Sequence, residues 1–179
     1  MKIGGRENKK HKIGLTVLRG QPFHIGHDSL LRRMLSECDI VVAMLGSAQE
    51  ARTADNPFTV AERMNMIAPW FETNIANGTL CLGAIDDLGN AKLWAGYVLA
   101  KVWKDFGLEA TAYYSGAERD SELFADAGMA IENLDRKIIP ISASKIRAGL
   151  RAGDEAVLEF IFPSNRAIVK RILTNQNTH

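Results

Sequence analysis

Ile13-Gly-Leu-Thr-Val-Leu18 runs into Arg19-Gly-Gln-Pro-Phe-His24-Ile-Gly-His27, and Leu30, Leu31, Met34, Leu35 and Cys38 follow at helical spacing. The first segment is a short β-rich run and the last an amphipathic helix, so the punctuated turn between them joins a strand to a helix. Asp39 to Gly46 (DIVVAMLG) is then an almost unbroken apolar run, the pattern of a strand covered on both faces. Strand, helix and strand in this order predict a parallel βαβ unit. The next helix opens on the capping box Thr59-Val-Ala-Glu62 and continues through Met64, Met66, Ile67 and Trp70, most of them read as core-packing positions.

The same alternation continues outward. Thr79 to Ile85 reads as a third strand and Lys92 to Phe106 as a helix whose apolar candidates are Leu93, Val98, Leu99 and Val102. Ala110 to Tyr114 reads as a fourth strand, Glu118 to Ala127 as a helix stopped by Gly128, and Lys137 to Ile141 as a fifth strand. Short helices are expected over 142–150, 155–161 and 164–173. The expected fold is therefore α/β: a Rossmann-like, doubly wound parallel sheet of about five strands, with helices on both faces and a short helical C-terminal region. Residues 1–12 read as a mobile basic arm, 13–173 as one domain with 142–173 its helical C-terminal part, and 174–179 as a tail.

Composition narrows the classes. Hydrophobic residues make up 46% of the 179, enough for a real core. Lys and Arg number 22 against 21 Asp and Glu, a formal net charge of +1 that does not suit bulk-charge binding of nucleic acid. Cys38 and Cys81 lie in apolar stretches without metal-ligand spacing and read as reduced core thiols. No apolar run approaches the ~20 residues that span a bilayer, and the basic start lacks an apolar h-region, so a cytoplasmic location without membrane attachment is expected.

Doubly wound sheets bind ligands beyond the carboxyl ends of their strands. His24-Ile-Gly-His27 stands there, with two imidazoles at a helix start and Gly26 allowing close backbone approach. A helix N-terminus favours anions, and two imidazole N–H donors there can hold a triphosphate and stabilise the charge that builds on it in a displacement. A pair of structural histidines and a metal site are the competing readings. No third metal ligand stands nearby in sequence, and Arg19 at the strand end favours phosphate.

Arg19-x-Gln21-Pro-Phe23-His24-x-Gly26-His27 resembles the signature of the archaeal-type nicotinamide-mononucleotide adenylyltransferases. The same signature opens the adenylyltransferase half of bacterial enzymes fused to a Nudix hydrolase. One departure is visible: the family usually has glycine before the arginine, whereas here Leu18 precedes Arg19 and Gly20 follows it. Gly46-Ser47-Ala-Gln49, and then Arg52 followed by Asn56-Pro-Phe-Thr-Val-Ala-Glu-Arg63, are similar to the family's Gly-Ser-Ala and Asn-Pro-Phe-Thr-x-x-Glu-Arg segments. Gly46 and Ser47 could present donors at the sheet edge, and Arg52 could swing a bidentate fork onto a phosphate, while Glu62 and Arg63 read equally as scaffold. Asp87, Asn90 and Trp94 resemble the family's nicotinamide pocket, where an indole stacks on the pyridinium; plain helix-face packing is the other reading of Trp94. Tyr114-Ser115-Gly116 is similar to a Tyr-Ser-Gly element that leaves room for the adenosine ribose and phosphates. Ile141-Ser142-Ala-Ser144-Lys-Ile-Arg147 resembles the I-S-x-[ST]-x-x-R element completing the triphosphate site. Ser142 can cap its helix, and Ser144 and Arg147 share one face.

The resemblance implies transfer of AMP from ATP to the 5′-phosphate of nicotinamide mononucleotide (NMN), giving NAD and pyrophosphate, with a Mg²⁺ ion carried mostly by ATP. His24, His27 and Arg147 are the implied catalytic residues. Arg19, Gln21, Phe23, Gly26, Ser115, Gly116, Ile141, Ser142 and Ser144 would serve ATP, and Gly46, Ser47, Arg52, Asn56, Asp87, Asn90 and Trp94 would serve the mononucleotide. Homo-oligomers are common in the family. The alternatives are another H-x-G-H nucleotidyltransferase, such as a pantetheine-phosphate adenylyltransferase or a cytidylyltransferase, and a non-catalytic sensor of NAD or ATP. The Asn90–Trp94 pair and Asn56-Pro-Phe-Thr59 speak against the first. The presence of both histidines with Arg147 speaks against the second. No Nudix box and no G-x-x-x-x-G-K-[ST] loop is present.

Overall fold

The computed structural model describes residues 9–115, 118–133 and 140–175. Five strands, β1 (His11–Leu18), β2 (Cys38–Leu45), β3 (Leu80–Ala84), β4 (Ala112–Ser115) and β5 (Ala130–Asn133), form one sheet in the order β3-β2-β1-β4-β5. Every pairing is parallel. The helices are α1 (Ile25–Glu37), α2 (Val60–Ile67), α3 (Glu72–Ala76), α4 (Ala91–Phe106), α5 (Glu118–Asp126), α6 (Ala143–Arg151) and α7 (Pro163–Asn175), with 3-10 turns at Ala68–Trp70 and Glu155–Phe160. Among the described residues, no helix is long and apolar enough to cross a membrane.

Alternate residues of β2 serve opposite faces of the sheet, which is why its run reads as unbroken apolar sequence. Val41, Ala43 and Leu45 join Leu30, Leu31 and Met34 of α1, Met66 and Ile67 of α2, Ile146 and Leu150 of α6, and Val169 and Leu173 of α7. Val42 and Met44 join Leu15 of β1, Val98 and Val102 of α4, and Phe124 of α5. Helices therefore cover both faces, as the alternation predicts. β1 is central, with β2 on one side and β4 on the other, so strand order reverses where Leu18 and Ser115 end. That crevice is where the turn after β1 emerges.

Several expectations are corrected. The strand expected at 137–141 falls mostly outside the described residues, and Pro140 and Ile141 are not strand; β5 lies at Ala130–Asn133 instead. It is an edge strand whose residues are exposed or half-buried, so it needs little of the apolar pattern that marks a central strand. β1 begins at His11, inside the stretch expected to be a free arm, and Lys9 Nζ donates to the carbonyls of Leu35 (2.7 Å) and Cys38 (2.8 Å). Residues 1–8 and 176–179 lie outside the described residues. Leu93, an apolar candidate of its helix, is 59% exposed, and of Met64, Met66, Ile67 and Trp70 only Trp70, 36% exposed, stays outside the core and tilts against Phe162.

Candidate active site

The turn after β1 is fixed by its own side chains. Gly20 takes φ +59°, a left-handed conformation that a side chain would resist, so the glycine that follows Arg19 has a backbone reason to be there. Gln21 is fully buried, its Nε2 donating to Phe58 O (2.9 Å) and its Oε1 accepting from Phe58 N (2.8 Å). Its amide is thereby bound to the backbone of the loop before α2, so Gln21 staples two loops. Phe23, also fully buried, stacks on His27 at 5.7 Å and on Phe162 at 6.0 Å, so it braces an imidazole from below.

His24 is the N-cap of α1, in extended backbone. Its Nδ1 accepts from Gly26 N–H (3.0 Å), and His27 Nδ1 accepts from His24 N–H (3.4 Å). An Nδ1 that accepts carries no proton, so the ring hydrogen of each sits on Nε2. The two rings lie 3.9 Å apart, centroid to centroid. Burial lowers the pKa of His24 to about 4, so its imidazole is neutral at physiological pH and offers an N–H rather than a full charge.

Arg147, on α6, reaches this turn from 126 residues away: its Nη1 donates to Gln21 O at 2.8 Å. Its Nη2 donates to Asp55 Oδ1 at 3.1 Å, and its buried Nε has no hydrogen-bond partner. Burial lowers its pKa, Asp55 opposes that, and the charges of Arg151 and Arg19 add to the lowering. Arg19 itself is exposed. Ser142 caps α6, its Oγ accepting from Lys145 N–H (3.3 Å), while Ser144 is exposed in the first turn and Ile141 is half-buried against the core. Ser115 ends β4 and is buried, with Gly116 outside the described residues. Two segments far apart in sequence thus meet at the crevice.

The loop from 47 to 58 has a different character. Ser47 (φ 50°) and Arg52 (φ 61°) are the non-glycine residues with positive φ among the described residues. Ser47 donates from N and Oγ to the two carboxylate oxygens of Asp87 (3.2 and 2.7 Å), tying the end of β2 to the loop after β3. Arg52 points its fork at Glu62 (2.9 and 2.7 Å), a carboxylate that also accepts from Thr59 N–H to close the capping box. Asn56 is buried, Nδ2 donating to Glu50 (2.8 Å) and Oδ1 without a hydrogen-bond partner. Asn90 caps α4 by accepting from Lys92 N–H (3.0 Å), and Trp94 is half-buried with its ring 6.1 Å from Tyr97. In this conformation Gly46, Ser47, Asp87, Asn90, Asn56 and Arg52 therefore all have partners within the protein.

Arg63 is the residue whose position the motif did not reveal. It is fully buried, donating from Nη1 to Arg19 O (2.8 Å) and Gly46 O (2.7 Å) and from Nη2 to Ser47 O (3.4 Å). One guanidinium thereby binds the ends of β1 and β2 together beneath the crevice. Its spacing from buried Met66 and Ile67, three and four residues on, marks the inward face of α2.

With this geometry in place, comparison with known proteins is decisive. Residues 21–78 match a cytidylyltransferase-like family model. The chain is 37% identical to the nicotinamide-nucleotide adenylyltransferase of Thermococcus sibiricus over 75% of its own length and 70% of that protein's. It is 32% identical to the same enzyme of Thermococcus kodakarensis, over 84% and 82%. The chain belongs to the nicotinamide-nucleotide adenylyltransferase family. In fold it is similar to a bifunctional NMN adenylyltransferase/ADP ribose pyrophosphatase of Francisella tularensis, with TM-score 0.70 at 19% identity, covering 93% of this chain and 53% of that longer one. A second structure of that protein, complexed with AMP and a manganese ion, gives a TM-score of 0.65 at 18% identity, over 93% and 52%. The family and the crevice coincide: the matched segment begins at Gln21, inside the turn that carries both imidazoles.

Proposed function

We propose that this chain carries out its family's reaction, joining AMP from ATP to the 5′-phosphate of NMN, by positioning and charge stabilisation without a protein base. The nucleophile is a phosphate oxygen, already largely dianionic at neutral pH. It attacks the α-phosphorus of ATP in line; a new P–O bond forms, the bond to the β-phosphate bridging oxygen breaks, and pyrophosphate leaves with that electron pair. No proton need be removed, and the site needs only to hold reactants and receive charge.

The Nε2–H donors of His24 and His27 serve the α-phosphate, where charge shifts in the transition state. Arg19, Arg147, Ser144 and the free amides of α6 hold the β- and γ-phosphates and stabilise the departing pyrophosphate. Arg52 orients the mononucleotide phosphate, and Asn90 and Trp94 receive the nicotinamide. Gln21, Phe23 and Arg63 keep these groups in place from behind. Among the described residues no group of three or more His, Cys, Asp or Glu side chains could hold a metal ion. A divalent ion, Mg²⁺ in this reading, would be held mostly by the triphosphate and water and would shield the phosphate charge.

The observation that carries the reading is the bond from Arg147 to Gln21 O, which sets the α6 anion grip against the imidazole turn. The test is incubation with ATP and either NMN or its deamidated form, resolving nucleotides and pyrophosphate. Dinucleotide and pyrophosphate should appear in equal amounts. ADP and orthophosphate, or no product with either mononucleotide, would refute it.

A further inference from the structure

Two of the three arginines assigned above to phosphates, Arg52 and Arg147, already hold a carboxylate. Arg52 grips Glu62, and Arg147 grips Asp55. The second pair is unequal: the Arg147 side chain is 10% exposed, that of Asp55 78%. A buried guanidinium with no anion is costly, while an exposed carboxylate returns to water easily. Arg151, one turn further along α6, donates to Ala54 O (2.5 Å), so α6 clasps the 47–58 loop at two adjacent residues. Three arginines, 19, 147 and 151, bear on this point, and Asp55 is the carboxylate that answers Arg147.

We propose that Asp55 is a placeholder anion that couples the two substrates: it occupies Arg147 until the ATP triphosphate displaces it, and its release frees the loop so that Arg52 can leave Glu62 for the mononucleotide phosphate. A carboxylate and a phosphate oxygen make the same charge-assisted contact with a guanidinium, so one can stand in for the other. The loop carries Asp55 and Arg52 three residues apart, and what loosens one end loosens the other. Arg52 is held by a fork to Glu62 and by Pro57 O (2.9 Å), in a left-handed backbone conformation that a rearranged loop would relieve. ATP and mononucleotide therefore bind with positive coupling, each tightening the other by the same factor. This rests on the assignment of Arg147 to ATP and Arg52 to the mononucleotide.

The test is a binding cycle with Asp55→Asn, using an ATP analogue that cannot transfer AMP and NMN, each titrated alone and in the presence of the other. In the unaltered protein the analogue should tighten NMN binding about fivefold or more. In Asp55→Asn the analogue alone should bind about two- to fivefold more tightly, the worth of an exposed ion pair. NMN alone should also bind more tightly, and the coupling factor should fall toward one. Glu109→Gln, which removes an exposed charge before the amino end of β4, away from the crevice at the strands' carboxyl ends, should leave all three quantities unchanged. Weaker analogue binding in Asp55→Asn, with or without a divalent ion, or an unchanged coupling factor, would overturn the proposal. Arg147→Ala separates the two failures: if it binds the analogue as well as the unaltered protein does, the site assignment has failed rather than the placeholder.

Discussion

The turn after β1 and the loop after β2 both deliver polar groups to one crevice, yet they are built in opposite ways. In the turn, His24 and His27 are locked by backbone hydrogen bonds that consume Nδ1 and leave Nε2–H as the donor, with Phe23 stacked beneath. In the loop, Arg52 and Asn56 are engaged with the protein's own carboxylates, and two residues sit at positive φ. The first is preorganised and the second is occupied. Groups that must meet a developing charge gain from being fixed in advance, because no reorganisation is then needed in the transition state. Groups that must admit a substrate can be held elsewhere until it arrives.

That contrast can be broken experimentally, and the largest effect should come from the fixed half. His27→Ala removes the donor assigned to the reacting phosphate and should lower kcat by about 10²–10³-fold with little change in KM for either substrate. A variant within threefold of normal turnover would show that the turn is not the catalytic half. His24 offers the next test, by pH. With its folded pKa depressed to about 4 from the ordinary 6.5, protonation opposes the fold, so its contribution is intact above pH 6.5 and is lost as pH falls through 4. The loss should reach roughly 3 kcal/mol. His24→Asn keeps a capping oxygen but cannot titrate, so its unfolding free energy should lack that decline between pH 6.5 and 4. Parallel curves for the two proteins would mean that His24 is not buried neutral.

Gln21→Ala probes the staple between the two regions. It leaves both backbone groups of buried Phe58 without partners and should cost about 2–4 kcal/mol in denaturant unfolding. The smallest effect belongs to the occupied half. Arg52→Ala should raise KM for NMN about tenfold and, with NMN saturating, leave KM for ATP unchanged, the loss of one charge-assisted contact. A rise confined to ATP would reverse the assignment of the two arms.

How much of this was legible in the sequence follows from how local each feature is. The apolar run of β2, the capping box at Thr59 and the strand–turn–helix around His24 are each written within a dozen residues, and all three stand where the pattern put them. β5 was not legible because an edge strand with residues such as Glu132 and Asn133 carries almost none of the apolar signal that Ile138 and Ile139 offered nearby. The motif marked Gln21 but not its bonds to Phe58, 37 residues on, which only the fold brings alongside. Asp55 gave no signal at all, since only α6, 92 residues away, reveals what it does. Arg63 read equally as scaffold or ligand contact, because helical spacing put it on the inward face while nothing local showed the carbonyls of Arg19 and Gly46 that it binds.

The central claim is that the paired imidazoles and the α6 arginine close on a single bound triphosphate. It is tested most directly by the crystal structure of this protein with a non-transferable ATP analogue. The account predicts the α-phosphate within hydrogen-bond distance of Nε2 of His24 and His27, and the β- or γ-phosphate on Arg147 with Asp55 displaced. A triphosphate bound by only one of the two segments, or lying outside the crevice between β1 and β4, would contradict it.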